Sequence, residues 1–226
     1  MSIDINLSRI RKEISNLETE HKRSTNSVQL IAVSKKKPAS DITTAIKCGQ
    51  RHFGENYLQE AIDKIQTIND PEVYWHFIGP IQSNKTTTIA ENFQWVHTLD
   101  RLKIARRLND ARPDVVPTLN VCIQINISGE NSKSGIHPSE AADFLKAMSE
   151  YKKLKVRGLM ALPAPEDSFE KQCIAFAELR ILFNQLKNIE SGLDTLSMGT
   201  TQDMAAAIAE GATMVRIGTA IFGERE

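Results

Sequence analysis

The chain has 226 residues, of which 41% are hydrophobic, a length at which an α/β barrel commonly forms one domain. Lysine plus arginine and aspartate plus glutamate each number 28, so no overall positive field attracts nucleic acid or an anionic membrane. No apolar run approaches the ~20 residues of a membrane-spanning helix, and the amino terminus lacks an apolar signal segment. The sequence therefore predicts one domain, residues 1–226, in the cytoplasm, with neither nucleic acid nor membrane as a partner.

The cysteines, Cys48, Cys122 and Cys173, are odd in number and widely spaced. Each lies in an apolar context and none has the spacing of a zinc ligand set. They are therefore expected to be buried free thiols in a reducing compartment, and no metal site is predicted.

Apolar residues near the amino terminus recur at alternating spacings of four and three, which predicts an amphipathic helix of about five turns. Strand-like segments follow, separated by helical patterns, with a polar loop after the third strand. No hairpin signal joins any two strands, so a single (β/α)8 barrel of the TIM type, preceded by this helix, is favoured over an open sheet. The predicted strands cover residues 28–33, 52–54, 74–78, 95–98, 119–127, 156–162, 195–198 and 214–217.

Residues that can cap helices mark several of the predicted helix starts. Ser40, Asp100 and Asp203 each precede an apolar periodic segment. Pro138 suits the first position of another helix. Residues 82–85 are predicted to form a polar loop.

The first predicted strand runs directly into Lys35, Lys36 and Lys37. In parallel α/β folds the functional groups lie at the carboxyl ends of the strands, so Lys35 is expected at the barrel mouth. Desolvation there turns an amine into a nucleophile toward carbonyl groups. On the three lysines alone, a solvated loop or a weak nucleic-acid patch is the favoured interpretation. The rest of the chain reverses that preference.

Two later segments have the character of phosphate-binding loops. SMGTTQD follows the seventh predicted strand and RIGTA ends the eighth, which are the positions where barrels commonly hold a phosphate. Both combine glycine with hydroxyl groups that can donate to phosphate oxygens, although either alone could be an ordinary tight turn. The hydroxyl-bearing residues are Ser197, Thr200, Thr201 and Thr219.

Lys35 and these two loops together predict a site for a phosphorylated aldehyde held as a Schiff base, and pyridoxal 5′-phosphate fits this description. Arg216 lies just before the second loop and could reach the ring nitrogen of that cofactor. A guanidinium there would keep the nitrogen unprotonated and weaken the cofactor as an electron sink. An arginine paired with a carboxylate at the strand end is the equal alternative.

An ordered set of motifs over nearly the whole chain resembles the pyridoxal-phosphate homeostasis protein family, single-domain relatives of the alanine racemase amino-terminal barrel. The motifs are AVSKKKP, HFGENYLQEAIDKI, WHFIGPIQSNK, IQINISGENSKSGI, RGLMALPAP, TLSMGTTQDMAAAI and MVRIGTAIFGER. One departure is that family members often carry Met-Ser where this chain has Thr200 and Thr201, and Thr201 keeps the hydroxyl.

The resemblance implies that pyridoxal 5′-phosphate is bound on the lysine after Ala-Val-Ser and is buffered or delivered within the cell. It also implies that the protein meets pyridoxal-phosphate-dependent apo-enzymes transiently. A monomer is expected because the extra domain through which related racemases pair is not evident, and no catalysis is expected because a second acid or base opposite the lysine is not evident. The implied cofactor-binding residues are Lys35, Asn56, Ser197, Arg216, Gly218 and Thr219.

Two enzymatic functions are alternatives to this carrier function. A pyridoxal-phosphate-dependent amino-acid racemase needs a second acid or base opposite the lysine, which related racemases take from an additional domain that is not evident here. A class I aldolase would form its Schiff base with substrate rather than with a cofactor.

Four histidines and one acidic residue are further candidates for the site. His52 and His76 lie at strand positions that face the barrel, where structural histidines are commoner than catalytic ones. His97 and His137 are predicted to be structural. Glu55 is expected either to hydrogen-bond within the mouth or to cap the helix that follows.

Overall fold

The structure, a computed structural model, describes residues 2–130 and 134–224. Its parallel strands form a closed barrel in chain order, and the last strand pairs with the first. The predicted (β/α)8 barrel and its preceding helix are confirmed. The strands are β1 (Gln29–Val33), β2 (His52–Glu55), β3 (Tyr74–Phe77), β4 (Trp95–Leu99), β5 (Leu119–Gln124), β6 (Leu154–Met160), β7 (Thr195–Ser197) and β8 (Met214–Ile217).

The helices surround the barrel, and short 3-10 turns at Ser83–Lys85 and Pro138–Glu140 precede two of them. Within residues 2–130 and 134–224, no helix is both long and apolar enough to cross a bilayer. The helices are α1 (Ile3–Glu20), α2 (Ala39–Lys47), α3 (Leu58–Ile68), α4 (Thr86–Asn92), α5 (Leu102–Ala111), α6 (Ala141–Met148), α7 (Phe169–Lys187), α8 (Met204–Ala209) and α9 (Thr219–Phe222).

The hydrophobic residues form two layers because side chains alternate across each strand. The larger layer lies between strands and helices, where α5 for example buries Ile104, Ala105 and Leu108. Each fully buried isoleucine or leucine side chain contributes about 1.5–3 kcal/mol. A smaller apolar cluster fills part of the barrel interior, and its members are Ile31, Trp95, Cys122, Met160 and Met214.

The first helix and the last short helix pack against each other where the barrel closes. α1 packs against α2, α8 and α9. The amide of Asn6 donates to the carbonyl of Ile221 at 2.9 Å, which ties α1 to α9. After α1, the guanidinium of Arg23 donates to the carbonyl of Ala212 at 2.5 Å and so joins the chain before β1 to the chain before β8.

Two of the three predicted capping side chains do not lie at a cap position, and the third makes a different bond. The residue before α2 is Pro38 and the residue before α5 is Arg101, so Ser40 and Asp100 do not hold the cap positions. Asp203 precedes α8 as predicted, but its carboxylate accepts from Thr200 in the preceding loop instead of from the helix.

Two further predictions were partly wrong. All three cysteines are free, but only Cys122 is buried, whereas Cys48 and Cys173 are partly exposed. Burial raises the pKa of the Cys122 thiol to about 12. The polar segment after β3 continues into α4, which the sequence pattern did not predict.

Candidate functional site

Every predicted site residue lies at the carboxyl end of a strand or directly after one. Lys35 and Asn56 follow β1 and β2, Ser197 ends β7, and Arg216 is the third residue of β8. Gly218 follows β8, and Thr219 begins α9. Because the strands are parallel, all six residues share the barrel mouth.

Lys35 lies beside the loop that follows β8. A small cavity of about 20 Å³ is lined by Lys35, Lys37, Gly218 and Thr219, together with apolar neighbours. A Cβ atom at Gly218 would lie 3.3 Å from the carbonyl oxygen of Val33, so glycine permits the close approach of this loop to the end of β1. The structure therefore brings three of the six predicted residues together.

A tight turn holds the segment around Lys35. The Lys37 amide donates to the Ser34 carbonyl at 3.1 Å, and the Lys36 amide donates to the Glu60 carboxylate at 2.6 Å. Lys36 has φ +62°, a left-handed conformation that is uncommon for a residue with a side chain. The position of Lys35 is thus set by backbone bonds on both sides of it.

A buried ion pair supports this turn from below. The Lys64 ammonium donates at 2.8 Å both to the Glu55 carboxylate and to the Ser34 carbonyl, which belongs to the peptide bond of Lys35. The Ser34 hydroxyl donates to the same Glu55 oxygen at 2.6 Å. Burial raises the pKa of the Glu55 carboxyl, and the charge of Lys64 opposes that shift. Glu55 therefore forms its hydrogen bonds at the base of the mouth, which is the first of the two roles predicted for it.

Arg216 is a buried cation on β8, the strand that pairs with β1, and only 5% of its surface is exposed. Its guanidinium donates to the Ser197 hydroxyl at 2.7 Å and to the Ala161 carbonyl at 3.1 Å. Burial lowers its pKa to about 10, so it remains charged at neutral pH. Among the residues described, no carboxylate is hydrogen-bonded to it, although the charge of Asp203, which lines the same cavity, raises its pKa. The predicted alternative, pairing with a carboxylate, is therefore not observed in this part of the chain.

A second cavity, of about 160 Å³, opens beside Arg216. Gly199, Thr200 and Asp203 from the loop after β7 contribute to its wall, as do residues of the loop after β6. The Arg216 amide donates to the Gly199 carbonyl at 2.9 Å, and Gly199 has φ +93°, which glycine adopts without strain. The proposed phosphate loop and the arginine thus share one pocket.

Asn56 lies on the same rim but lines neither of these two cavities. Its side-chain oxygen is buried and has no hydrogen-bond partner among the described residues. Because buried polar atoms are nearly always paired in folded proteins, this oxygen is suited to accept from a bound ligand. An unpaired acceptor, a buried cation and a lysine around one mouth fit a phosphorylated aldehyde with a ring nitrogen.

Sequence reasoning missed a row of histidines that crosses the barrel interior. His52 contacts His76, and His76 contacts His97, each through ring nitrogens 2.9 Å apart. His97 then contacts the Ser197 hydroxyl at 2.8 Å. Side chains alternate along each strand, and this alternation already places all three histidines on the inner face of the barrel in the sequence. Their contact with one another depends on the register between β2, β3 and β4.

The family model described as "Alanine racemase, N-terminal domain" matches residues 5–226. The pyridoxal phosphate homeostasis protein of Escherichia coli (strain K12) is 53% identical over 224 residues, which cover 98% of this chain and 96% of that protein. The protein of the same name from Pasteurella multocida is 52% identical and covers 100% of this chain and 99% of its own length.

Solved structures share the fold as well. PipY of Synechococcus elongatus PCC7942, solved with PLP bound, is 34% identical with a TM-score of 0.84, and the match covers 98% of this chain and 100% of PipY. An alanine racemase of Clostridium difficile is 16% identical with a TM-score of 0.76, and the match covers 99% of this chain and 56% of the racemase. At 16% identity the racemase likeness concerns the fold alone. The chain belongs to the pyridoxal phosphate homeostasis protein family, whose barrel is the alanine racemase amino-terminal domain.

Proposed function

We propose that this chain binds pyridoxal 5′-phosphate at the barrel mouth and takes part in intracellular homeostasis of that cofactor by holding or delivering it. The observation that carries the proposal is the buried guanidinium of Arg216, which faces a mouth shared with Lys35 and has no carboxylate partner in the described part of the chain. The names of the relatives and the PLP-bound structure of PipY support the same function.

Each of the six residues has a role in this proposal. Pyridoxal 5′-phosphate supplies an aldehyde for a lysine amine and a phosphate for hydroxyl donors. The amine of Lys35 forms the covalent link, and the hydroxyl of Thr219 donates to the phosphate. Ser197 is fully buried and accepts from Arg216, so it positions that guanidinium. Gly218 lets the backbone of its loop approach, Arg216 faces the ring nitrogen, and Asn56 accepts a hydrogen bond from the ligand.

We further propose that the chain holds the cofactor without catalysing a reaction on it. A permanently charged guanidinium beside the ring nitrogen disfavours a proton on that nitrogen, and this weakens the electron withdrawal that racemisation needs. Racemase and transaminase assays against a panel of amino acids test this proposal. Turnover at rates typical of enzymes, about 1 s⁻¹ or more, would favour the racemase alternative.

Borohydride reduction of the cofactor-loaded protein is expected to leave a stable pyridoxyl group on Lys35. Peptide mass mapping locates the label, and Lys35→Arg should lose it together with the absorption band of the bound cofactor. Lys36→Arg is the matched control, because its neighbouring amine follows in the same turn, and it should retain both signals. Label on Lys36 or Lys37 would contradict the assignment of Lys35.

We also propose that the chain is a cytoplasmic monomer whose apo-enzyme partners bind it transiently. Its exposed large hydrophobic residues come from several different elements, among them α1, α7 and the turn after α5, instead of forming one element's face. Light scattering at micromolar concentration should therefore give a mass near the 25.3 kDa of one chain. A mass of twice that value would contradict the monomer.

A further inference from the structure

The histidine row in the barrel interior ends at the buried arginine of β8. It runs from His52 through His76, His97 and Ser197 to Arg216, with successive polar atoms 2.7–2.9 Å apart. His52 is the first residue of β2 and forms the far end of the row. The row therefore connects the arginine with the amino-terminal side of the barrel through side chains alone.

All three rings in the row are neutral at physiological pH. Burial lowers the pKa of His52 to about 4. Burial and the charge of Arg216 lower the pKa of His97 to about 3. Burial also places the pKa of His76 well below its ordinary value, and the two neighbouring histidines lower it further. A neutral imidazole carries a proton on one ring nitrogen and a lone pair on the other.

Ser197 fixes the direction of the hydrogen bonds in the row. It has no exposed surface, and within the described part of the chain its hydroxyl contacts only Arg216 and His97. A guanidinium has donors only, so the Ser197 oxygen accepts from Arg216, and the Ser197 proton goes to Nδ1 of His97. The reverse order, with His97 donating, would bury the Ser197 proton without a partner. It should be outnumbered by roughly 5- to 150-fold.

The same order continues along the three rings. His97 has a lone pair on Nδ1, so it carries its proton on Nε2 and donates to Nδ1 of His76 at 2.9 Å. His76 likewise donates from Nε2 to Nδ1 of His52 at 2.9 Å. His52 is the one partly exposed ring of the three, so its Nε2–H can donate to solvent. One proton order thus satisfies every polar atom of the row.

This order turns the negative end of each dipole toward Arg216. The negative end is the unprotonated nitrogen in each imidazole and the oxygen in Ser197. Hydrogen bonds in such a chain polarise one another in the barrel interior, so the dipoles reinforce each other. The charge of Asp203 also acts on Arg216, but the Asp203 carboxylate accepts its hydrogen bonds from Thr200. The row therefore stabilises the cation without adding a negative charge.

The guanidinium of Arg216 has further donors for a ligand. One N–H of each terminal nitrogen bonds to the described part of the protein, at the Ser197 hydroxyl and the Ala161 carbonyl. A guanidinium has five N–H groups in a fixed plane, so these two bonds also set the direction of the other three. Arg216 lines the cavity of about 160 Å³. The orientation of Ser197 therefore affects what the arginine presents to that cavity.

We propose that His97 is a positioning residue for Arg216: its Nδ1 fixes the Ser197 hydroxyl, and the row presents aligned neutral dipoles to the guanidinium where no carboxylate is hydrogen-bonded. The guanidinium thereby keeps one orientation and its full charge toward a ligand. The consequence for pyridoxal 5′-phosphate rests on the proposed function, whereas the proton order does not.

Nitrogen NMR of protein labelled with 15N-histidine tests the proton order in the parent protein, because the shifts of Nδ1 and Nε2 identify the protonated atom. His52, His76 and His97 should each carry the proton on Nε2, both without cofactor and with saturating pyridoxal 5′-phosphate. His21 and His137 lie outside the row and serve as internal references. A proton on Nδ1 of any ring in the row would overturn the proposed order.

A double-mutant cycle tests whether His97 acts through Arg216. His97→Leu removes the acceptor for Ser197 and should raise the dissociation constant of pyridoxal 5′-phosphate by roughly 5- to 20-fold, within the range of coupling in one hydrogen-bond network. In an Arg216→Gln background the same substitution should change that constant by less than about twofold, because the guanidinium that His97 positions is gone. Equal fold-changes in the two backgrounds would overturn the positioning role.

His97→Asn separates positioning from packing. The side-chain oxygen of asparagine can take the place of Nδ1 and accept from Ser197, so this variant should recover most of the affinity lost in His97→Leu. It also buries an amide where leucine buries an apolar group, so it should be no more resistant to urea than His97→Leu. Affinity that follows stability across the two variants would make His97 a packing residue and overturn the proposal.

Thr195→Val is the matched control on β7, because the Thr195 hydroxyl donates to Asp194 and lies outside the row. It should bind the cofactor like the parent protein, and a loss equal to that of His97→Leu would contradict a specific role of the row. Absorption spectroscopy separates the two proposals. If the parent protein forms no cofactor band at saturation, the proposed function is wrong, and NMR of the cofactor-free protein still decides the proton order.

Discussion

Lys64→Met is expected to lower the free energy of unfolding by about 3–5 kcal/mol, because it leaves a buried carboxylate without its partner. Lys64 has only 5% of its surface exposed, and its ammonium lies 2.8 Å from the fully buried Glu55. The substitution also removes the donor to the Ser34 carbonyl, so Lys35 should lose part of its fixed position. Urea unfolding at neutral pH measures the first effect, and cofactor affinity measures the second.

The pH dependence of this loss follows from the Glu55 carboxyl. Its pKa is raised in the folded chain, so burying the Glu55 charge costs free energy. This penalty is absent below the ordinary pKa of a glutamate, where the folded and unfolded chains both hold the proton. The penalty grows as the pH rises through the raised value. Removing Lys64 raises this pKa further, so the deficit of Lys64→Met should be largest at neutral pH and shrink in acid.

Lys146→Met is the matched control for the buried pair. Lys146 pairs with Asp143 at 3.5 Å, but both side chains are largely exposed. Exposed pairs of this kind contribute about 0–1 kcal/mol, so the control should unfold nearly like the parent protein. Equal losses in the two variants would contradict a structural role for the buried pair.

Arg216→Gln is expected to raise the dissociation constant of pyridoxal 5′-phosphate by roughly 10- to 100-fold, since a hydrogen bond from a charged group contributes about 1.5–3 kcal/mol. Without cofactor, the free energy of unfolding should change by less than about 1 kcal/mol or rise, because the substitution removes a buried charge that has no carboxylate partner among the described residues. Absorption titration and urea unfolding measure the two quantities on the same sample.

Two further variants test whether the arginine faces the ring nitrogen. Arg216→Glu should let the ring nitrogen acquire a proton and shift the absorption band of the bound cofactor to longer wavelength. Arg157→Gln is the control, because this arginine of β6 lies over Trp95 and pairs with Asp194. A large loss of stability in Arg216→Gln with unchanged affinity and spectrum would make Arg216 a structural residue.

The barrel and the rim of the site could be predicted from the sequence because both depend on local patterns. Buried strands appear in the sequence as short apolar runs, and in a parallel barrel the residues after each run lie at the mouth. Lys35 and Gly218 could therefore be placed at one rim without knowledge of any contact between them, whereas Asn56 came from the family resemblance.

Features that depend on partners distant in the sequence could not be predicted. Lys64 occupies a helical position where lysine is ordinarily solvated, and only the packing of α3 on β2 buries it beside Glu55. The contact of His97 with Ser197 joins residues 100 positions apart. α4 begins with three threonines, which have low helix propensity, and the burial of Ile89 and Ala90 outweighs that preference.

Because β1 pairs with β8, the barrel cannot close until both strands have been synthesised. β1 (Gln29–Val33) leaves the ribosome long before β8 (Met214–Ile217), the strand that closes its second edge. At a synthesis rate of about 5–20 residues per second, that edge stays without its native partner for roughly 10–40 s. An apolar strand with an open edge can pair with other chains, so the nascent polypeptide depends on protection of β1 until β8 has emerged.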